Sequence, residues 1–173
     1  MQITPGLFSR NLPTVPGEVD RFSVEFEFTI SGKSRPKFDG RTGRVYMPTA
    51  YMRNKDDIKW FMRKTMFEAG KHEFLSVKHF YMHRTIGYRK LRKPTSKADA
   101  ERLKVERPVG GWASGCAGAP DTDNLIGTLM DSCQGIVYPN DSSVVLTLVE
   151  RVWSDRWGAF FESVKLSSPE WET

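Results

Sequence analysis

The chain has 173 residues, of which 39% are hydrophobic and 12% aromatic, and its formal net charge is +5. This length and composition predict one folded domain and exclude an intrinsically disordered chain. No stretch approaches the ~20 apolar residues of a membrane-spanning helix. The two cysteines, Cys116 and Cys133, are too few for a disulfide scaffold, so a reduced state is expected.

The first 20 residues contain several prolines and glycines, which predict a flexible arm. They lack the charged-then-apolar pattern of a secretory signal, so we expect a cytoplasmic protein with no membrane partner. One domain is expected over residues 21–166, followed by a short tail over residues 167–173.

The first predicted element is a half-buried strand over residues 21–30, because Phe22, Val24, Phe26, Phe28 and Ile30 alternate with polar residues. A basic loop follows over residues 31–44. Residues 49–69 form a predicted helix, whose apolar stripe consists of Ile58, Phe61, Met62 and Met66.

The second half of the chain mixes strands and helices. We predict a strand over 73–83, a short helix over 96–104, a flexible segment over 110–120 and a helix over 123–135. An interior strand over 142–153 is expected to form a hairpin with a strand over 158–166. This mixture predicts an α+β fold, a small mixed sheet packed with two or three helices.

Positive charge is concentrated in two segments. Residues 33–44 carry five Lys and Arg against one Asp, and residues 84–107 carry nine against three acidic residues. Such clusters are typical of a nucleic-acid contact surface, but a solvated surface loop is an equal alternative. The candidate DNA-binding residues are Lys33, Arg35, Lys37, Arg41, Arg44, Arg89, Lys90, Arg92, Lys93 and Lys97.

The segment PDTDNL places two carboxylates, Asp121 and Asp123, one residue apart. If this stretch is extended, both side chains point to the same side and can hold a hard divalent cation such as Mg²⁺ or Mn²⁺. The alternative is a helix N-cap with an Asx turn, for which one aspartate would suffice.

The helix that follows has two predicted faces. Ile126, Leu129, Met130 and Cys133 form the expected buried face, and Asn124, Gly127, Thr128 and Asp131 form the polar face. Asp141 precedes the next strand, and a short return loop can bring it near the start of the helix. This would gather Asp121, Asp123 and Asp141.

The stretch PDTDNLIGTLMDSCQGIVYPNDSSVV resembles the RusA family of Holliday-junction resolvases. The shared pattern is a D-x-D-N that opens a helix, an aspartate two turns later, a short connection and an aspartate at the start of a strand. SGKSRPKFDGRTGRVYMPTAYMR is similar to the region before the first helix of that family. The resemblance covers roughly residues 22–153.

The resemblance implies a divalent-metal-dependent endonuclease that cuts four-way or other branched DNA as a homodimer, with Mg²⁺ as the expected cofactor and Mn²⁺ as a second possibility. It places the three catalytic, metal-binding aspartates at Asp121, Asp123 and Asp141, and a fourth at Asp131. It also implies a phage or prophage origin.

The sequence departs from the family pattern at two places. Gly127 stands where the family has a lysine, and Asn140 and Ser143 flank Asp141 in a variant strand-opening segment. We therefore expect either a substitute lysine from another segment, such as residues 84–107, or a slow enzyme. Two other readings stay open, namely a junction-binding protein without cleavage activity and a module whose aspartates only cap and coordinate.

Overall fold

A computed structural model describes residues 14–107, 113 and 121–167 of the protein. Its helices are α1 (Thr49–Glu68), α2 (Lys97–Glu106) and α3 (Thr122–Cys133), and a 3-10 turn covers Asp141–Ser143. The strands are β1 (Glu18–Phe26), β2 (Lys37–Asp39), β3 (Arg44–Tyr46), β4 (Phe80–Lys90), β5 (Val144–Ser154) and β6 (Gly158–Leu166). Within these ranges no helix is long and apolar enough to cross a bilayer.

The main sheet has four strands in the order β1-β6-β4-β5. Strands β4 and β5 run parallel, whereas β6 runs antiparallel to both of its neighbours. Strands β2 and β3 form a separate hairpin. A mixed sheet with three helices confirms the predicted α+β class.

The core lies between one face of the sheet and helices α1 and α3. Phe22, Val24 and Phe26 of β1 are buried, as their alternation predicts, and so are Ile58, Met62 and Met66 of α1. Strand β1 ends four residues before the predicted boundary, because the Asn54 side chain of α1 hydrogen-bonds the backbone at Thr29 and Ser31 in place of a neighbouring strand. The predicted helix over 49–69 is confirmed.

The buried face of α3 differs from the prediction. Leu125, Thr128, Leu129, Ser132 and Cys133 are buried, whereas the predicted core residue Ile126 is half-buried. Thr128 and Ser132 can enter the core because each hydroxyl donates a hydrogen bond to a carbonyl one turn earlier in the helix, at 3.1 and 2.7 Å.

The predicted strand over 73–83 is wrong for most of its length, since β4 begins at Phe80 and continues through Lys90. The hydroxyl of the buried Tyr81 accepts a hydrogen bond from the Ser76 amide (2.7 Å) and donates one to the Phe74 carbonyl (3.0 Å). These backbone groups therefore find a side-chain partner rather than a neighbouring strand. Arg84 is buried within β4 and pairs with Glu150 of β5.

The last two strands also differ from expectation. Strand β5 lies at the edge of the sheet rather than in its interior, and it does not form a hairpin with β6, because β4 lies between them. Residues 155–157 cross the end of β4, and Gly158 then opens β6 at a φ of +150°. A Cβ at Gly158 would lie 2.1 Å from the Phe26 carbonyl oxygen, so β1 and β6 can approach here only with glycine.

His83 of β4 is fully buried between the rings of Tyr138 and Phe161, at centroid distances of 4.9 and 5.1 Å. Its Nδ1 lies 3.3 Å from the Met130 sulfur. Burial lowers the pKa of His83 to about 3, so the imidazole is neutral in the folded protein.

This burial predicts that acid destabilises the fold through His83. An unfolded histidine takes up its proton near pH 6.5, whereas the folded one does not until about pH 3. Between these values the unfolded state binds more protons, and the free energy of unfolding falls as the pH drops, by up to about 1.4 kcal/mol per pH unit. His83→Phe should flatten this dependence in urea unfolding at pH 6.5, 5.5 and 4.5.

The matched control is His72→Phe, because His72 is exposed at the end of α1. It should retain the wild-type slope. An unchanged slope in His83→Phe would show that other groups account for the acid sensitivity.

Candidate active site

The start of α3 carries the paired aspartates. Asp121 is the N-cap residue with extended backbone, and its carbonyl accepts the first helical hydrogen bond from Leu125 (2.9 Å). Asp123 lies in the first helical turn, so the extended geometry considered from the sequence applies to Asp121 alone. Neither caps the helix through its side chain, and both are exposed. Their carboxylates therefore remain available to a cation.

The first turn of α3 is held against the sheet at Gly87 of β4. A Cβ on Gly87 would lie 2.6 Å from a methyl carbon of the buried Leu125. This close approach fixes how far α3 stands from β4.

Asp131, two turns further along α3, joins three segments of the chain. Its carboxylate forms ion pairs with the ammonium groups of Lys33 at 3.1 Å and Lys55 at 3.8 Å, and it accepts a hydrogen bond from the Tyr51 hydroxyl at 3.4 Å. The hydrogen bond to Asp131 raises the pKa of Lys33, and Asp141 adds to the effect through its charge. Burial raises the pKa of Tyr51, with Asp131 adding to it, so the phenol stays protonated.

Lys33 also packs on α3 at Gly127, the one glycine of this helix. Its amide donates a hydrogen bond to the Asn124 carbonyl at 2.9 Å. A Cβ on Gly127 would lie 3.1 Å from Cδ of Lys33 and 3.7 Å from its Cβ. The Lys33 stem therefore fills the space over Gly127, and a lysine does stand at this position, although it comes from the loop after β1 and not from residues 84–107.

Asp141 is tied to α3 through Tyr138. The Tyr138 hydroxyl donates to the Met130 carbonyl at 2.6 Å and also lies 3.3 Å from an Asp141 oxygen. Burial, with the nearby negative charge of Asp141, raises the pKa of Tyr138, so this phenol stays a donor. The Asn140 side chain accepts from the Ser142 amide at 3.0 Å and caps the 3-10 turn that begins at Asp141.

The four aspartates supply only hard oxygen donors, the ligand type that divalent cations such as Mg²⁺ prefer. In the described part of the chain, no three Asp, Glu, His or Cys side chains are already grouped as a metal site. The donor chemistry fits a divalent cation. The structure does not bring Asp141 to the start of α3, as the sequence suggested, but places it at Tyr138 and Met130 beside the second half of the helix. The ligand set Asp121, Asp123, Asp131 and Asp141 therefore stays a prediction. In this structure Asp131 engages two lysines.

The candidate DNA-binding residues fall into two places. Lys33 is half-exposed beside Asp131. The rest of the first group follows Lys33 in the sequence before α1 begins, and all its members are exposed: Arg35, Lys37, Arg41 and Arg44. Arg89 and Lys90 end β4, and Arg89 stacks over Trp157 at 5.4 Å. Arg89 shares a small cleft with Leu125, which places it near the start of α3.

The second basic segment is not one continuous exposed surface. Arg84 is buried in β4, and Arg92 makes a two-pronged ion pair with Asp99 at 2.6 and 2.7 Å. These hydrogen bonds from Arg92 hold the pKa of Asp99 well below its usual range. Lys90, Lys93 and Lys97 are exposed, and so is Arg92, although its guanidinium is engaged by Asp99.

Three residues of the site were not predicted from the sequence: Tyr51, Lys55 and Tyr138. Tyr51 and Lys55 lie on one face of α1 one turn apart. Tyr51 meets Asp131 across 80 residues of sequence, and Lys55 meets it across 76. In the sequence, Lys55, Lys59 and Arg63 recur one turn apart along α1, but only the packing of α1 on α3 gives Lys55 its partner. Nothing in the sequence indicated a role for Tyr138 except its position near the aspartate motif.

Comparison with known proteins identifies the family of the chain. A search of curated proteins found no match. The family model described as endodeoxyribonuclease RusA matches residues 27–161, which include β4, β5, α1–α3 and all four aspartates. Nucleases of this family act on branched DNA and depend on divalent metals. The chain therefore belongs to the RusA endodeoxyribonuclease family.

Proposed function

We propose that the protein is a Mg²⁺-dependent endodeoxyribonuclease that resolves four-way, or Holliday, junctions. One observation carries the proposal. The start of α3 presents two exposed aspartates whose side chains do not cap the helix, and Asp131 holds Lys33 against the same helix. Carboxylates for a hard cation and an ammonium group two turns along the same face of the helix suit phosphodiester hydrolysis. A phage or prophage origin stays a prediction of the resemblance.

Asp121, Asp123 and Asp141 would hold Mg²⁺, or Mn²⁺ in its place. When bound, such an ion supplies a water of lowered pKa and neutralises charge on the reacting phosphate and the leaving oxygen. Asp121 and Asp123 enter no ion pair with the described lysines and arginines, which leaves both carboxylates accessible at the helix start. Tyr138 would orient Asp141 through its hydroxyl.

Lys33 would contact the reacting phosphate directly. Its side chain is half-exposed, and Asp131 fixes its ammonium beside α3. Because Lys55 also approaches Asp131, two positive charges face one carboxylate, and a surplus positive charge remains for a phosphate. Asp131 would act as a positioning residue for the two lysines rather than as a permanent metal ligand.

The exposed basic residues would hold the DNA arms through phosphate contacts. Such contacts give affinity that depends on salt and carries no sequence information. Arg35, Lys37, Arg41, Arg44, Lys90, Lys93 and Lys97 have exposed side chains suited to this role. Arg92 is committed to Asp99 and contributes less.

A junction-binding protein without cleavage activity is the alternative. Its motivation is Gly127, which supplies no charge. The observed position of Lys33 over Gly127 favours an active enzyme, because an ammonium group stands beside this turn of the helix. The reading in which the aspartates only cap α3 is weakened by the absence of any side-chain cap from Asp121.

We also propose a homodimer, since paired cuts in a two-fold symmetric junction need two active sites. Strand β5 is the edge of the sheet and exposes Val145 (56%), Leu146 (40%) and Leu148 (42%). Pairing of two β5 strands about a two-fold axis would cover this edge. Among the described residues, only the C-terminal end of β5 has a backbone partner on its free edge, where the Ala113 amide donates a hydrogen bond to the Arg151 carbonyl.

The first prediction concerns the carboxylates. Asp121→Asn, Asp123→Asn and Asp141→Asn should each abolish Mg²⁺-dependent nicking of a synthetic four-way junction, because each removes a ligand charge. Junction binding without metal should stay within a few fold, since phosphate contacts lie elsewhere. Asp57→Asn, an exposed change on α1, is the control. Normal nicking by Asp123→Asn would place the site elsewhere.

The second prediction moves the lysine. Lys33→Ala should lower the single-turnover cleavage rate by about 10²–10³-fold, the usual cost of one preorganised charge-stabilising group. Lys33→Ala combined with Gly127→Lys should recover much of the rate, because the new lysine starts where Lys33 now lies. Lys37→Ala, which removes an equal charge from the same segment, should change binding more than rate.

Full activity of Lys33→Ala would contradict the role of Lys33. Absence of cleavage by the wild type in Mg²⁺ and Mn²⁺, together with tight junction binding, would favour the alternative function.

The third prediction concerns assembly. Sedimentation at micromolar concentration should give the mass of a dimer, and Val145→Lys should give a monomer, because a lysine on an edge strand opposes strand pairing. Val19→Lys, at a position 54% exposed on β1, the opposite edge of the sheet, is the control. A monomeric wild type, with and without junction DNA, would refute the dimer.

A further inference from the structure

The hairpin β2–β3 exposes an apolar face that the active site does not use. Phe38 and Val45 are register partners on the two strands and therefore share a face. They are 67% and 68% exposed, among the highest values for large apolar side chains in the described chain. Exposure of two paired apolar side chains at the centre of a small hairpin indicates a contact surface.

The hairpin projects directly from the candidate active site. Lys33, four residues before β2, is bound to Asn124 and Asp131 of α3. Tyr51, five residues after β3, reaches the same Asp131. Five extended residues span at most ~17 Å, so Phe38 lies within about five nucleotides of a phosphate at Lys33, given ~3.4 Å per nucleotide along a strand.

The tip of the hairpin is internally braced. Asp39 accepts hydrogen bonds from the Thr42 hydroxyl (2.7 Å) and the Arg41 amide (3.0 Å), and its carbonyl accepts one from Gly43 (2.8 Å). Gly43 adopts a φ of +68°, which favours glycine. The only acidic residue of segment 33–44 is thus engaged in the turn, and Phe38 is presented on a preorganised support.

The charge around this apolar face selects its occupant. Segment 33–44 carries a net charge of +4, and Arg44 stands beside Val45 in β3. A second copy of the same hairpin would bring two such charges together and be repelled. DNA offers phosphates for the lysines and arginines and the flat, apolar face of a base for Phe38.

We propose that the β2–β3 hairpin is the element that recognises the branch point, with Phe38, supported by Val45, stacking on or wedging beside an unstacked base next to the cleaved strand. This rests on the proposed junction-resolving function. Apolar wedges between base steps require partial unstacking, which is least costly where stacking is already interrupted. The contact would therefore favour branched over linear DNA at the same phosphate charge.

The test compares Phe38→Ala with wild type in EDTA, so that cleavage plays no part. Fluorescence anisotropy should show at least about fivefold weaker binding to a four-way junction, the lower end of the cost of losing one base-stacking aromatic. Binding to a linear duplex of the same sequence should not change. A 2-aminopurine at the branch point should change its fluorescence with wild type and not with Phe38→Ala.

Phe67→Ala is the control, because Phe67 is an equally exposed phenylalanine at the far end of α1. Circular dichroism checks that Phe38→Ala is folded. If the wild type binds and cuts junctions and Phe38→Ala retains both junction preference and the 2-aminopurine signal, the hairpin proposal is wrong while the proposed function stands. A dimer that Phe38→Ala converts to a monomer would assign the face to a second copy instead. Failure of the wild type to bind junctions would overturn both proposals.

Discussion

Asp131 is the carboxylate on which the arrangement of the site depends. It receives Lys33 from the loop after β1, Tyr51 and Lys55 from α1, and it belongs to α3 itself. The lysine side chains are partly solvent-exposed, so each ion pair adds little stability, ~0–1 kcal/mol. Their contribution is positional, because they fix the loop and both lysines beside the helix that begins with Asp121 and Asp123.

The strand order determines how Asp141 joins this arrangement. Strand β5 runs parallel to β4, so its first residues lie at the same end of the sheet as the start of β4, beneath the second half of α3. The Tyr138 hydroxyl lies between the two, because it donates a hydrogen bond to the Met130 carbonyl of α3 and also lies near an Asp141 oxygen. The buried Tyr138 thereby ties the short connection from α3 to β5 to the helix and places Asp141 on the side of Asp131.

Local periodicity was sufficient to predict β1, α1 and α2, since each has a repeating pattern or a cap such as Ser96. It failed for β4, where buried Arg84 and the bulky Tyr88 conceal a strand that pairs on both sides. It also failed for β5, whose apolar residues on both faces resemble an interior strand although the strand is an edge. Pairing partners, and not composition, decide these cases.

The aspartate motif could be found in the sequence because its residues are close together. The partners of Asp131 could not, since Lys33 is 98 residues away and Tyr51 is 80 residues away. That a substitute lysine serves the site stays a prediction. The lysine that packs over Gly127 comes from the loop after β1 and not from residues 84–107, where positive charge is densest in the sequence. The loop after β1 reaches α3 because the Lys33 amide binds the Asn124 carbonyl, a backbone contact that no side-chain pattern reveals.

Gly127 gains a physical explanation from this packing. Glycine inside a helix costs roughly 1 kcal/mol relative to alanine, yet here any Cβ would press on the Lys33 stem at 3.1 Å. The missing side chain admits a lysine from another segment, and that segment continues within four residues into the β2–β3 hairpin. A lysine carried on the helix would be independent of the hairpin. A lysine carried on the loop would couple the group proposed to contact the phosphate to the hairpin proposed to contact the DNA, so binding of DNA at the hairpin and alignment of Lys33 would become linked steps.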